Sequence, residues 1–176
     1  TKESLVKKIK QLKKGQIAWH QVGLNKRIEI IQSFSGLLES NIERLASVLT
    51  SEVGKPLQQS RNEINGARAR IKWLTENAEK YLADEVMTHE KGLTERITYE
   101  PLGIVCNISA WNYPYLVGVN VFVPALLAGN AVIYKPSEYS TLTGLEIEML
   151  LEKAGVPQDV FHIAVGARSV GEMLLE

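Results

Sequence analysis

Residues 103–138 read GIVCNISAWNYPYLVGVNVFVPALLAGNAVIYKPSE. The stretch opens on a short apolar run, Ile104 to Ile108, which has the length and composition of a strand buried on both faces. Pro114 to Gly129 is long enough for a helix, with proline at its N-terminal end and Gly129-Asn130 closing it. Ala131 to Tyr134 is a second buried strand. The rhythm continues beyond the quoted stretch. Leu142 to Ala154 predicts a second helix, closed by Gly155 and Pro157, and Val160 to Val165 predicts a third strand. Ser169 begins a third helix. Strands alternating with helices predict βαβ units and a parallel sheet.

Upstream the composition is different. Residues 1–100 hold one proline, 17 Lys/Arg and 13 Asp/Glu, whereas residues 101–176 hold five prolines, 3 Lys/Arg and 7 Asp/Glu. The first part therefore carries +4 and the second −4, and the change near residue 100 marks a boundary. The first part reads as helices. Leu24, Ile28, Ile31, Phe34 and Leu38 form one helical face. Asn41 is placed to cap the next helix, whose Ile42, Leu45, Leu49 and Val53 point inward. Gly54 suits a helix end and Pro56 the first turn of a new helix. Ile64, Ala67, Ile71, Leu74, Ala78 and Leu82 then mark a long core-facing stripe. Thr94 to Tyr99 reads as an edge strand.

Composition excludes several functions. Lys plus Arg equals Asp plus Glu at 20 each, so there is no basic excess to track nucleic-acid phosphates or an anionic membrane. No apolar run is long enough for a transmembrane helix. The segment from Thr1 to Lys14 is charged and lacks an apolar core, so no secretory signal is read and the expected compartment is the cytoplasm. The single cysteine, Cys106, sits mid-strand and reads as inert packing. His20, His89 and His162 are far apart, and no local ligand spacing predicts a metal.

Phosphate motifs fail as well. No Gly-x-Gly-x-x-Gly follows the first buried strand, and Gly166 to Gly171 has P-loop spacing with Glu172 and Met173 where Lys and Ser/Thr are needed. Two segments resist a structural reading. Ser109-Ala110-Trp111-Asn112-Tyr113-Pro114 follows a parallel strand, at the sheet edge where open α/β folds bind ligands. Asn112 either offers an amide there or caps the helix that follows. Lys135-Pro136-Ser137-Glu138 ends the next strand, and its Lys and Glu either hold a ribose diol or belong to an ordinary loop.

Pro101-Leu-Gly-Ile-Val, Ile108-Ser-Ala-Trp-Asn-Tyr-Pro, Pro124-Ala-Leu-Leu-Ala-Gly-Asn130 and Lys135-Pro-Ser-Glu, in this order and spacing, resemble the NAD(P)-dependent aldehyde dehydrogenase superfamily. Ala18-Trp19, Arg27, Glu52-Val-Gly-Lys-Pro56, Val156-Pro157 and Gly166 agree with it, so the resemblance covers nearly the whole chain. It is similar to bacterial succinate-semialdehyde dehydrogenase-like members. The resemblance implies an α/β fold: N-terminal helices (1–92) packing on the cofactor domain, an edge strand and linker (93–102), and a partial Rossmann-like dinucleotide-binding domain (103–176).

It also implies roles. Asn112 is the catalytic asparagine, a neutral donor to a developing oxyanion. Ile108, Ser109, Ala110 and Trp111 lie beside the cofactor, with alanine at 110 where the family often has proline. Lys135 and Glu138, with Pro136 and Ser137 between them, hold the adenosine ribose, and Gly166 belongs to the next cofactor-binding turn. Tyr113, Val117 and Asn120 line the substrate tunnel. The cofactor is NAD, with NADP the alternative, the substrate is an aldehyde, and the enzyme is a homo-oligomer. Family members are close to three times this length, and their cysteine nucleophile and general-base glutamate belong to motifs absent from these residues. The chain thus reads as an N-terminal piece, inactive alone. Two rivals stand: a catalytically empty segment serving assembly or nucleotide binding, and part of an acylating relative.

Overall fold

A computed structural model describes residues 2–176. Four helices come first: α1 (Lys2–Gln21), α2 (Leu24–Ser40), α3 (Ile42–Val53) and α4 (Leu57–Leu82). A two-stranded antiparallel ribbon follows, β1 (Glu85–Glu90) and β2 (Leu93–Ile97). The alternating part then runs β3 (Ile104–Ile108), α5 (Pro114–Leu127), β4 (Ala131–Lys135), α6 (Thr141–Ala154), β5 (Phe161–Ile163) and α7 (Arg168–Leu175). Its three strands are parallel in the order β3-β4-β5. Among the described residues, no helix is long and apolar enough to cross a membrane.

Every residue of β4 is buried, because it lies between two strands and between two helical layers. Val132 and Tyr134 point into the large core under α5 and α6, and Ala131 and Ile133 into a smaller one under α1 and α7. That alternation is the strand's period of two. An aromatic cluster ties the N-terminal helices to the sheet. Phe122 of α5 sits edge-on to Phe34 of α2, Tyr134 of β4 and Phe161 of β5, at centroid distances of 6.2, 5.9 and 5.5 Å. The stripes of α2 and α4 face this core as their spacing predicts.

Four expectations need correction. β3 is not buried on both faces: it pairs only with β4, and Cys106 and Ile108 are exposed. Cys106 is therefore not core packing, although its surroundings still push the thiol up from its ordinary value. Asn41 does not cap α3 with its side chain; its amide donates to the Leu37 carbonyl and closes α2 instead. The strand expected at Thr94 to Tyr99 is Leu93–Ile97, and its partner β1 lies where the sequence reads as helix. The third strand, expected over Val160 to Val165, is confined to Phe161–Ile163.

Long-range contacts fix both ends of α5. A helix leaves its first four N–H and last four C=O groups without internal partners. At the C-terminal end, Trp19 Nε1 donates to the Leu126 carbonyl at 2.9 Å, buried Arg27 Nε to Leu127 at 3.0 Å and Gln16 Nε2 to Gly129 at 3.1 Å. At the N-terminal end, Glu63 Oε1 accepts the Tyr115 amide at 2.8 Å. The helix dipole thus meets a carboxylate at its positive end and a guanidinium at its negative end.

Candidate functional site

The carboxyl ends of β3, β4 and β5 carry three loops. The first, 109–113, continues the β3–β4 ladder for one step, because the Ser109 amide donates to the Lys135 carbonyl at 2.9 Å. It then turns outward. Ser109 is buried, whereas Ala110, Trp111, Asn112 and Tyr113 are exposed. The second loop begins at buried Pro136 and Ser137; the Ser137 hydroxyl accepts the Tyr139 amide at 3.3 Å and opens a 3-10 turn over Glu138–Ser140. Ser137 is therefore the ordinary turn-capping residue of its segment. The rings of Trp111 and Tyr139 meet edge-on at 6.5 Å, and with Glu52 and Val53 they line a cleft between the two loops. The third loop holds Gly166, at φ +153°, where an added Cβ would fall 2.3 Å from Val170.

Asn112 does not cap α5. The N-cap position is Tyr113, which makes no side-chain cap, and no described residue bonds the Asn112 side-chain amide. Its main chain is instead held from the turn between α3 and α4. Lys55 Nζ donates to the Asn112 carbonyl at 2.6 Å, stands 4.0 Å over the Tyr113 ring and is paired with Glu63. The Glu63 side chain is fully buried and the Lys55 side chain 11% exposed. Burial pushes the Glu63 carboxyl up, and the Lys55 ion pair and the amides of Tyr115 and Leu116 partly oppose that. The outcome is a tethered loop whose exposed Asn112 keeps an unused side-chain amide.

Lys135 and Glu138 lie together at the end of β4. The Lys135 side chain is 5% exposed, and its Nζ donates to the Pro136 carbonyl at 3.1 Å and stands 3.8 Å from the Glu138 carboxylate, which faces solvent. Gly171 of α7 lies against the stem of Lys135, at 3.7 Å from an added Cβ. Ile108, exposed at the end of β3, borders the same edge. Tyr113, Val117 and Asn120 share one outward stripe of α5, so the structure brings these three together beside α4. Asn120 Oδ1 accepts from Arg70 Nε at 2.8 Å.

Residues the sequence left without roles complete the site. Glu52 accepts the amides of Leu142 and Thr143 at 2.6 and 2.7 Å and so caps α6 from α3, as Glu63 caps α5 from α4. Glu52 and Lys55 belong to the quoted Glu52-Val-Gly-Lys-Pro56, so a signal existed for them; Glu63 and Arg70 had none. The three histidines remain apart, and no group of three or more metal-ligating side chains exists among the described residues.

Comparison with known proteins gives one answer. The pattern of the aldehyde dehydrogenase family matches residues 1–176. The chain is 34% identical over 161 residues to the N-succinylglutamate 5-semialdehyde dehydrogenase of Photorhabdus laumondii, covering 90% of this chain and 32% of that protein. It is 35% identical over 149 residues to an NADP/NAD-dependent aldehyde dehydrogenase of Escherichia coli, covering 84% of this chain and 30% of that protein. The crystal structure of an aldehyde dehydrogenase from Brucella melitensis biovar abortus superposes with a TM-score of 0.93 at 30% identity, over 99% of this chain and 36% of that one. The chain spans about a third of the length of the relatives it matches.

The Lys55–Glu63 pair makes a stability prediction. Glu63→Leu leaves the Lys55 ammonium without its counter-charge and is expected to cost about 3–5 kcal/mol in chemical denaturation. Lys55→Met with Glu63→Leu should recover most of that loss. The folded carboxyl is raised, so ionising it opposes folding. The wild type should lose stability as pH rises from the ordinary carboxylate range toward the raised value, a slope the double variant lacks. A double variant no more stable than Glu63→Leu would contradict the pairing.

Proposed function

The chain belongs to the aldehyde dehydrogenase family, and on that footing we propose that its carboxyl-edge loops form the oxyanion donor and part of the cofactor cleft of an enzyme that oxidises an aldehyde to the carboxylic acid. One observation carries the reading of Asn112. The amide that would otherwise have served as a helix cap is free, because Glu63 caps α5 in its place, while Lys55 fixes the backbone that bears it. A fixed neutral donor stabilises negative charge as it develops on the aldehyde oxygen, without itself titrating. Tyr113, Val117 and Asn120 guide the substrate toward it along the outer stripe of α5.

NAD(P)+, when bound, accepts the hydride. The residues present fit such a group. Trp111 and Tyr139 bracket a cleft with Glu52 and Val53, and Ile108, Ser109, Ala110, Pro136 and Ser137 belong to the strand end and loops that carry the two rings. Lys135 and Glu138 would hold the ribose hydroxyls. The N-termini of α5 and α6 already hold the carboxylates of Glu63 and Glu52, which repel a pyrophosphate. The N-terminus of α7 has no side-chain cap and follows Gly166, which leaves it open to phosphate oxygens. In this arrangement the helices within 1–92 support the cofactor domain begun at 103, with 93–102 linking them, and the whole enzyme is an oligomer acting in the cytoplasm.

The test of Asn112 is Asn112→Ala in the full-length protein that carries this chain. The expected loss in kcat is about 100- to 1,000-fold, with KM little changed. Near-normal turnover would overturn the assignment.

Glu138 sets the cofactor preference. A carboxylate accepts from the ribose hydroxyls of NAD and repels the extra phosphate of NADP. Like charges ~4 Å apart at an effective dielectric of 20 repel by about 4 kcal/mol, and a quarter of that surviving solvent is about fivefold in affinity. The expected result is a higher kcat/KM with NAD than with NADP, and a ratio that falls in Glu138→Ser. A wild type favouring NADP, or an unmoved ratio, would remove Glu138 from the role.

A further inference from the structure

The chain has seven arginines. Buried Arg27 donates to main-chain carbonyls. Arg44, Arg61, Arg68, Arg96 and Arg168 each pair with a carboxylate, from Glu146, Glu43, Glu39, Asp84 and Glu172 in turn. Arg70 differs. It is exposed, its Nε donates to the neutral Asn120 amide at 2.8 Å, and its guanidinium carbon lies 5.2 Å from the Trp73 ring centroid. No described carboxylate pairs with it, and its two terminal nitrogens bond no described group. The fork that binds carboxylates bidentately is therefore held in place at one edge and open at the other.

Its position matters as much as its charge. Asn62, Gly66 and Arg70 recur every four residues along α4, and Tyr113, Val117 and Asn120 mark the neighbouring stripe of α5. The two helices are joined near their starts by Lys55 and Glu63, and further along by Arg70 and Asn120. Between these ties, a Cβ added at Gly66 would meet nothing within 4 Å. Asn112 thus lies near the start of these two neighbouring stripes, and farther along them stands a cation that no described carboxylate pairs.

We propose that Arg70 is the anchor for a distal anionic group on the aldehyde substrate, so that the enzyme selects anionic over neutral aldehydes. The proposal rests on the reading of Asn112 as the donor to the reacting oxygen and of the α5 stripe as the substrate passage. Pro114 to Asn120 is six residues, a rise of about 9 Å along the helix. An extended chain advances roughly 1.2 Å per bond, so this separation suits an anionic group about seven bonds from the carbonyl rather than one beside it. The cationic anchor is absent from Tyr113, Val117 and Asn120 themselves; it reaches their stripe from another helix, which is why the α5 sequence alone reads as neutral.

The experiment uses the full-length protein and a series of straight-chain aldehydes with a terminal carboxylate, each paired with a neutral aldehyde of equal length. The readout is the ratio of kcat/KM for each pair. In the wild type the ratio should exceed one and peak near seven bonds of separation. In Arg70→Gln it should fall by about 10- to 100-fold, the worth of a charge-assisted hydrogen-bonded pair. Arg70→Lys, which keeps the charge and loses the fork, should fall between. Asn120→Asp gives Arg70 the carboxylate that the other exposed arginines have, and should lower the ratio with the arginine intact. Binding of suberate, a dicarboxylate of matching length, gives the same comparison without turnover and should weaken about tenfold or more in Arg70→Gln. An unchanged ratio and unchanged suberate binding in Arg70→Gln would overturn the anchor. Asn112→Ala with neutral aldehydes is run beside it. Normal turnover there defeats the underlying reading, whereas lost turnover with an unmoved Arg70 ratio defeats the anchor alone.

Discussion

The carboxylate of Glu63, buried against the first amides of α5, is the contact on which the site depends. It satisfies amides that the helix cannot satisfy itself, and it draws Lys55 to the place where the ammonium reaches the Asn112 carbonyl. Because Glu63 caps the helix, the side chain of Asn112 does not have to. The opposite end of α5 is held by Arg27, Trp19 and Gln16 from the first two helices. A segment from outside the sheet thus fixes the central crossover helix at both ends. The loop preceding that helix is tied by Lys55 to the turn between α3 and α4.

Burying Glu63 has an electrostatic cost, visible in the upward push on its carboxyl. Breaking such a pair costs more than forming it gains, so the pair fixes a geometry more than it adds stability. Glu52 does for α6 what Glu63 does for α5. Two glutamates thus occupy helix N-termini of the kind that in other α/β folds receive phosphates. The surface arginines Arg44, Arg61 and Arg68 tie helices together through carboxylates, whereas Arg70 meets the neutral Asn120 amide and no described carboxylate.

Local patterns carried most of the fold. The α2 and α4 stripes, the Gly54 and Gly155 helix ends and the strand–helix alternation after Gly103 depend on near neighbours, and the structure has them where their periodicity predicts. The failures are long-range. β1 is nearly all exposed and its apolar residues, Val86 and Met87, are adjacent, so it carries no alternating apolar signal; only its register with β2 makes it a strand. β3 reads as doubly buried because apolar composition does not reveal which side the helices cover. Asn41 and Asn112 both look like caps, since the sequence names a cap's chemistry and not its competitor. In the site, the strand-end loops were legible from their motifs, but Lys55, Glu63 and Arg70 act across 57, 52 and 50 residues of sequence, beyond any local pattern.

The amide hydrogen exchange of Tyr115 tests the central claim most directly. That amide stands in the first turn of α5, where protection requires an acceptor from outside the helix. Replacing Glu63 with leucine and Lys55 with methionine removes the acceptor without leaving an unpaired buried charge. The account predicts exchange at Tyr115 about 10- to 100-fold faster than in the wild type, with Phe122 in the middle of the helix unaltered. Equal protection of Tyr115 in both proteins would show that α5 and the Asn112 loop are held by something other than Glu63.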